Sequence, residues 1–174
     1  MMPHEEHRKR AQRTLKCAVI TISTSRYTKR ADQIHVKDES GDIICRMLRK
    51  NGHKVLYRAI VPDSMTDIRT KLLNAFQLGI DAVITTGGTG ISPTDVTIES
   101  VSPLLERELP GFGELFRQRS SESIGTASIM SRALLGVMHG MLIACLPGSP
   151  DGVKTGMELL MPELQHASSI AKGS

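Results

Sequence analysis

Two aspartates and a cluster of glycines are the residues of this chain best suited to chemistry. Residues 81–90 read Asp-Ala-Val-Ile-Thr-Thr-Gly-Gly-Thr-Gly, and Asp95 follows close behind. The apolar half has the pattern of a buried strand, and a strand that empties into glycines at its carboxyl end marks where open α/β sheets bind ligands. Gly87, Gly88 and Gly90 let a ligand approach the main chain closely. Successive exposed N–H groups in such a turn form a concavity that holds phosphates. Asp63, in Val-Pro-Asp, closes another apolar run. Two carboxylates facing bound phosphates would repel the ligand unless a cation lay between them. Mg²⁺ is the natural cation, being held by a few carboxylates plus phosphate oxygens. Asp63 and Asp95 are therefore candidate catalytic groups and candidate metal ligands.

Each feature also has a plain structural reading. Gly-Gly-Thr-Gly is neither a P-loop nor a GxGxxG fingerprint, and alone it fits a tight turn equally well. Ser92-Pro93-Thr94-Asp95 has the composition of a helix start: a Ser cap, Pro at the first helical position and an acid in the first turn. Asp63 fits a turn beside a helix start. What favours function is two aspartates on one sheet edge, flanking a glycine loop. Leu146-Pro147-Gly148-Ser149-Pro150 is a second strand-to-helix turn, with Ser149 as N-cap and N–H groups that can face an anion. Asp151, the next residue, opposes a bare phosphate there unless its side chain points away. Arg26, Lys29 and Arg30 read as solvated, with a phosphate clamp as the lesser alternative.

The elements that must carry these residues alternate between strand and helix. Residues 15–22, 53–61, 81–86 and 141–146 read as strands, and they lack the polar/apolar alternation of a half-wet sheet, which predicts strands covered on both faces. Residues 39–52 read as a helix with Ile43, Ile44, Met47 and Leu48 on one face and Gly52 as its stop. A second helix runs to about Gly79, opened by a capping box at Ser64 and Asp67. Others are expected from about Thr94 to Leu105 and after Ser149, the last with a kink at Pro162. Residues 23–38 are polar and basic and read as a loop. Residues 111–138 read as mostly helical without clear division, and Phe112, Leu115 and Phe116 fit core or a subunit contact equally. The whole predicts a three-layer α/β/α fold with a mostly parallel central sheet. The breaks after all four strands then gather at one cleft.

Composition narrows the function classes. The chain has 174 residues, enough to bury a real core, with 40% apolar and 23% charged residues. Residues 1–13 read as a flexible basic tail ahead of a single domain over 14–174. The net charge is +4, part of it in Arg8, Lys9, Arg10 and Arg13. Few aromatics accompany that charge, so nucleic acid is a weak expectation and a small anionic substrate a better one. Cys17, Cys45 and Cys145 sit in apolar runs without CxxC spacing, and read as reduced core thiols. The histidines show no paired spacing and read as surface or capping residues. No apolar run reaches membrane-spanning length and no apolar signal core is evident, so a cytoplasmic location and no membrane partner are expected.

Taken together, the motifs resemble the MoaB/MogA family of molybdenum cofactor biosynthesis, most of all its stand-alone MoaB-type members. The likeness rests on residues 83–90, on Asp95-Val96-Thr97 with Glu99, and on residues 146–150. It extends to Asp38, Ser40-Gly41-Asp42, Ile60-Val61-Pro62-Asp63, Gly111-Phe112-Gly113-Glu114, Phe116-Arg117, Ile124-Gly125-Thr126 and Ser131-Arg132-Ala133. The resemblance implies adenylylation of molybdopterin by Mg²⁺-ATP, with release of pyrophosphate. It implies a trimer or hexamer and hand-over to a MoeA-type metal-inserting protein. Asp63 and Asp95 match the family's functional aspartates. Gly87, Gly88, Thr89 and Gly90, preceded by Thr86, match its pterin/nucleotide loop, and Pro147, Gly148 and Ser149 match its second binding loop. Family members often carry an acid soon after the first strand, where this chain has Ser23-Thr24-Ser25. Ser23 and Ser25 remain candidate ligand contacts. The alternative reading is a carrier that binds molybdopterin without adenylylating it.

Overall fold

The computed structural model describes residues 13–33 and 35–173. The basic tail expected at the N-terminus lies, Arg13 apart, outside the described residues. The elements are β1 (Lys16–Ile22), α1 (Thr24–Ala31), α2 (Glu39–Lys50), β2 (Lys54–Val61), α3 (Met65–Gln77), β3 (Ala82–Thr86), α4 (Thr97–Val101), β4 (Arg107–Glu108), α5 (Pro110–Ile124), β5 (Leu134–Met138), β6 (Met141–Leu146) and α6 (Pro150–Ala171). They form a six-stranded sheet in the order β2-β1-β3-β6-β5-β4. β2, β1, β3 and β6 are parallel, while β5 and β4 run antiparallel at the far edge. The expected mostly parallel α/β/α fold is the one observed.

Successive side chains of a strand point to opposite faces, so one apolar run builds two cores. Cys17 and Val19 of β1 pack with Ile43, Ile44 and Leu48 of α2, Phe112 and Phe116 of α5, and Val153, Met157 and Leu160 of α6. Ala18, Ile20 and Ile22 face the other way, onto Ile68, Leu72 and Ala75 of α3 and Val101 of α4. Phe112 and Phe116 are core, whereas Leu115 beside them is exposed. Pro162 lies inside α6.

Three expectations about secondary structure are corrected. Residues 24–31 form helix α1, not loop, with Ser23 as its N-cap. No residue of α1 is buried, so it has no apolar stripe to betray it. Residues 92–95 form a turn, and the helix after them starts only at Thr97. Residues 111–138 contain a strand, β5, which a two-residue turn joins to β6. His139 and Gly140 both have positive φ there, 48° and 77°, as a type I′ hairpin requires. The three cysteines are free and buried, as expected. Burial pushes the Cys17 and Cys145 thiols up to about 12, which keeps them unreactive. His53, read with the other histidines as a surface or capping residue, is instead buried, its Nδ1 accepting from Leu15 N at 3.4 Å.

Two buried carboxylates tie the layers together. At the amino edge of the sheet, Asp81 accepts from Lys16 N at 2.7 Å and pairs with Lys172, just past α6. At the carboxyl edge, Asp38 caps α2 through Gly41 N at 3.1 Å and accepts from Thr21 Oγ1 at 2.8 Å and Arg58 Nη2 at 2.9 Å. Burial alone would raise the Asp38 carboxyl, but these donors and the Arg58 charge outweigh it and hold it below its usual range. A lowered folded value means that the unfolded chain takes up the proton first as pH drops. The stabilisation is therefore complete above pH about 4 and fades as pH falls through the folded value. Asp38→Asn is expected to cost about 2 kcal/mol at pH 7, less than for a fully buried pair because Arg58 stays partly hydrated. Urea unfolding at pH 7 and pH 3 checks this. The deficit should shrink at pH 3, and an unchanged deficit would mean that charge plays no part.

Candidate active site

The strand order reverses at β1: β2 lies on one side of it and β3 on the other. Ligands of open α/β sheets bind at the carboxyl end of such a switch point. The glycine loop stands there. Gly87 has φ 101° and Gly88 φ 61°. A Cβ on Gly87 would overlap the carbonyl of Ile22, at the end of β1. A Cβ on Gly88 would overlap Thr97 Oγ1 and lie 3.0 Å from Asp63 Oδ1. A Cβ on Gly148, in the second loop, would come to 3.4 Å from Gly87 Cα. The breaks after β1, β2, β3 and β6 meet at one place, as the sequence implies.

The carbonyls of the glycine loop are all held from behind. Thr97 Oγ1 donates to Gly87 O at 2.8 Å and Thr97 N to Gly88 O at 2.9 Å. Arg132 Nε donates to Thr89 O at 3.1 Å, and its Nη2 donates to Gly90 O. In a trans peptide the N–H points opposite to the C=O. Anchoring these carbonyls therefore turns the N–H groups of Gly88, Thr89, Gly90 and Ile91 the other way. Among the described residues none of these four N–H groups has a backbone or side-chain acceptor. The second loop is built likewise. Thr86 Oγ1 donates to Pro147 O at 2.7 Å, and Ser40 Oγ donates to Gly148 O at 2.8 Å. Ser149 caps α6, its Oγ accepting from Gly152 N at 3.2 Å. Asp151 is exposed and turned to Lys154 at 3.3 Å, which leaves the N-terminus of α6 open to an anion.

Asp63 and Asp95 bracket the glycine loop from opposite ends. Asp63 Oδ2 accepts from Thr24 N at 2.9 Å and Thr24 Oγ1 at 2.8 Å, while Oδ1 faces Gly88. Asp95 Oδ2 accepts from Ser92 N at 3.0 Å and lies against Gly90. Asp95 thus closes a turn and does not cap a helix. Among the described residues neither carboxylate has a cationic partner, and each keeps one oxygen without a donor. Such half-satisfied carboxylates suit a hard cation that brings its remaining ligands with it. No group of three or more acidic, His or Cys side chains among the described residues is arranged to hold a metal alone.

The other expected contacts divide into ligand-facing and supporting groups. Gly88, Thr89, Gly90, Gly148 and Ser149 carry N–H groups opposite the anchored carbonyls, without acceptors among the described residues. Thr86, Gly87 and Pro147 are supports: the Thr86 hydroxyl, the Gly87 N–H and the Pro147 carbonyl are all used within the protein. Ser23 and Ser25 stand at the start of α1, their hydroxyls 3.3 Å apart. Arg30 lies elsewhere, in a cavity of about 650 Å³ that it shares with His35, Lys37 and Arg58. Sequence reasoning gave no role to Thr97, Ser40, Thr24 or Arg132. Thr97 and Arg132 stood in its quoted motifs, but hydrogen bonds to carbonyls 10 and 43 residues away carry no local pattern.

Residues 18–166 match the family described as "Probable molybdopterin binding domain". The chain belongs to that family. It is 42% identical to a molybdopterin adenylyltransferase of Pyrococcus furiosus, over 97% of this chain and 98% of the relative. It is also 42% identical to a molybdenum cofactor biosynthesis protein B of Halalkalibacterium halodurans, over 95% of each. Among solved structures, the tungsten cofactor synthesizing protein MoaB of Pyrococcus furiosus superposes with a TM-score of 0.83 at 40% identity, covering 92% of this chain and 98% of that one. A structure named for MogA gives 0.78 at 33% identity, covering 90% and 99%. The MoaB/MogA resemblance read from the motifs is thus borne out across nearly the whole chain.

Gly88→Ala tests the loop, with Gly52→Ala as its control. Both positions have positive φ, 61° and 81°, but a Cβ on Gly52 would meet nothing within 4 Å. Gly52→Ala should lose about 1–2 kcal/mol of stability from the strained backbone, and Gly88→Ala more, because its Cβ also overlaps Thr97 Oγ1. Only Gly88→Ala should also weaken binding of a phosphate anion, measured by calorimetry with inorganic pyrophosphate. Equal pyrophosphate affinities in the two variants would remove the loop from the site.

Proposed function

We propose that this protein is a molybdopterin adenylyltransferase, transferring AMP from ATP to the terminal phosphate of molybdopterin with release of pyrophosphate. The observation that carries the reading is the set of N–H groups at Gly88, Thr89, Gly90 and Ile91, turned outward beside two carboxylates that lack cationic partners. The relatives' names point the same way.

The residues divide the work. Phosphoryl and nucleotidyl transfers need little covalent help, and positioning with charge stabilisation dominates. The glycine-loop N–H groups hold the phosphates of the nucleotide, and the N-terminus of α6 with Gly148 and Ser149 holds a second anionic group. That division would let the molybdopterin phosphate approach the α-phosphorus in line as pyrophosphate leaves. Asp63, fixed by Thr24 through one oxygen, directs the other toward the phosphates, and Asp95 does the same from the Gly90 end. Mg²⁺ bound with ATP would be held by these carboxylates and would neutralise charge on the triphosphate and on the departing pyrophosphate.

The protein is also proposed to work as a homo-oligomer, trimer or hexamer. Ile124, Ile129 and Met130, 55%, 76% and 53% exposed, are apolar surface suited to a subunit contact. A MoeA-type protein would take the product. No helix among the described residues is long and apolar enough to cross a membrane.

The test is transfer of labelled AMP from [α-³²P]ATP to molybdopterin, with and without Mg²⁺. Magnesium-dependent product is expected. Asp63→Asn should lower the rate by on the order of 100-fold with the melting temperature preserved. Asp95→Ala should lose activity as well, at a stability cost of no more than about 1 kcal/mol for the turn it closes. Tight pterin binding by the wild type without any product would make the protein a carrier instead.

A further inference from the structure

Arg132 stands apart from every residue expected to touch substrate, yet it is bound to the site more closely than most of them. It lies in the segment between α5 and β5, more than 40 residues along the chain from the glycine loop. Its guanidinium reaches back to two successive loop carbonyls, Thr89 O through Nε and Gly90 O through Nη2. Its remaining edge faces Glu99, with Nη1 to Oε1 at 2.5 Å and Nη2 to Oε2 at 3.4 Å. The planar fork is thus filled on both sides, by main chain on one and by carboxylate on the other.

We infer that Arg132, braced by Glu99, is a positioning residue for nucleotide binding that acts through the glycine loop and touches neither substrate. The inference rests on the reading of that loop as the phosphate cradle. Thr97 fixes the peptides whose N–H groups belong to Gly88 and Thr89. Arg132 fixes the next two, whose N–H groups belong to Gly90 and Ile91. Without it, the carbonyls of Thr89 and Gly90 lose their donors, and either peptide plane can turn. A turned plane presents a carbonyl oxygen to the phosphate in place of an N–H, so attraction becomes repulsion. Glu99 neutralises the guanidinium, so the role is orientation and not added positive charge. Only an arginine suits it. A lysine ammonium keeps the charge but lacks the fixed fork that reaches adjacent carbonyls together.

The experiment compares wild type, Arg132→Lys, Arg132→Ala and Glu99→Gln. It measures ATP affinity by calorimetry, kcat and KM for adenylyl transfer, and melting temperature. Arg132→Lys and Arg132→Ala should each lower kcat/KM by about 100-fold and weaken ATP binding, with melting within a few degrees of wild type. Glu99→Gln should lie between them and wild type. Millimolar guanidinium chloride should restore part of the activity of Arg132→Ala and none of that of Arg132→Lys, whose side chain still fills the site. Activity and ATP affinity within twofold of wild type in both arginine variants would overturn the inference while leaving the nucleotide reading standing. So would a loss that follows a large drop in melting temperature and resists guanidinium. A wild-type chain that neither binds ATP nor transfers AMP would end the nucleotide reading, and the positioning role with it.

Discussion

A peptide group is rigid, and its N–H and C=O point in opposite directions. A chain that is to offer several adjacent N–H groups to an anion must therefore find partners for the carbonyls behind them. Here Thr97, Arg132, Thr86 and Ser40 supply those partners for two loops. They come from α4, from the segment before β5, from the end of β3 and from the first turn of α2. The site is accordingly a property of the whole fold. The parallel strands bring four loops to one edge, and the surrounding helices carry donors to the inner side of two of them. Asp38 serves the same end one step further back, since capping α2 places Ser40 against Gly148.

The charges near the site are largely settled within the protein. Arg58 lies between Asp38 and Asp42, and Arg132 lies against Glu99. The Arg132 guanidinium holds the Glu99 carboxyl below its usual range, against a small opposing effect of burial. Neither cation is available to neutralise a phosphate. What remains to receive negative charge is a set of N–H dipoles, one long helix N-terminus and Arg26, which donates to Ser23 Oγ and the Lys37 carbonyl and to no carboxylate among the described residues. The nearby carboxylates favour a ligand that arrives with its own counter-ion over a bare polyanion.

Much of this was legible in the sequence. Strands buried on both faces announce themselves as apolar runs, and all four parallel strands were read within a residue or two, but β2 was wrongly expected to be covered on both faces: it is the edge strand, with Lys54, Leu56 and Arg58 exposed. Ser64 and Ser149 were read as caps because capping is a local rule, and both do accept from the N–H three residues on. The glycine loop, its two aspartates and the second loop were read as neighbours at one sheet edge, and the structure brings them together there. The failures share a cause. α1 buries nothing, so no periodicity marks it. Three residues separate β5 from a 3₁₀ segment, Gly125–Met130, that itself follows α5, so no clear break marks the start of the strand. Ser92 and Asp95 satisfy a cap's composition, yet the Asp95 carboxylate takes the Ser92 N–H and closes a turn instead. The supporting donors escaped notice because a contact between residues 10 or 43 positions apart is set by tertiary geometry alone.

Helix α1 carries a consequence of its own. It begins at Thr24, whose N–H and hydroxyl hold one oxygen of Asp63. None of its residues is buried, so little apolar contact opposes its unravelling. The part of the molecule that orients a central carboxylate is therefore among the cheapest to open, while the β-sheet a few ångströms away is among the most costly. Hydrogen exchange at the α1 amides should run far ahead of exchange in β1 and β3. Any ligand that engages Asp63 would slow the former and leave the latter untouched, so that occupancy of the site is written into the protection pattern of a surface helix.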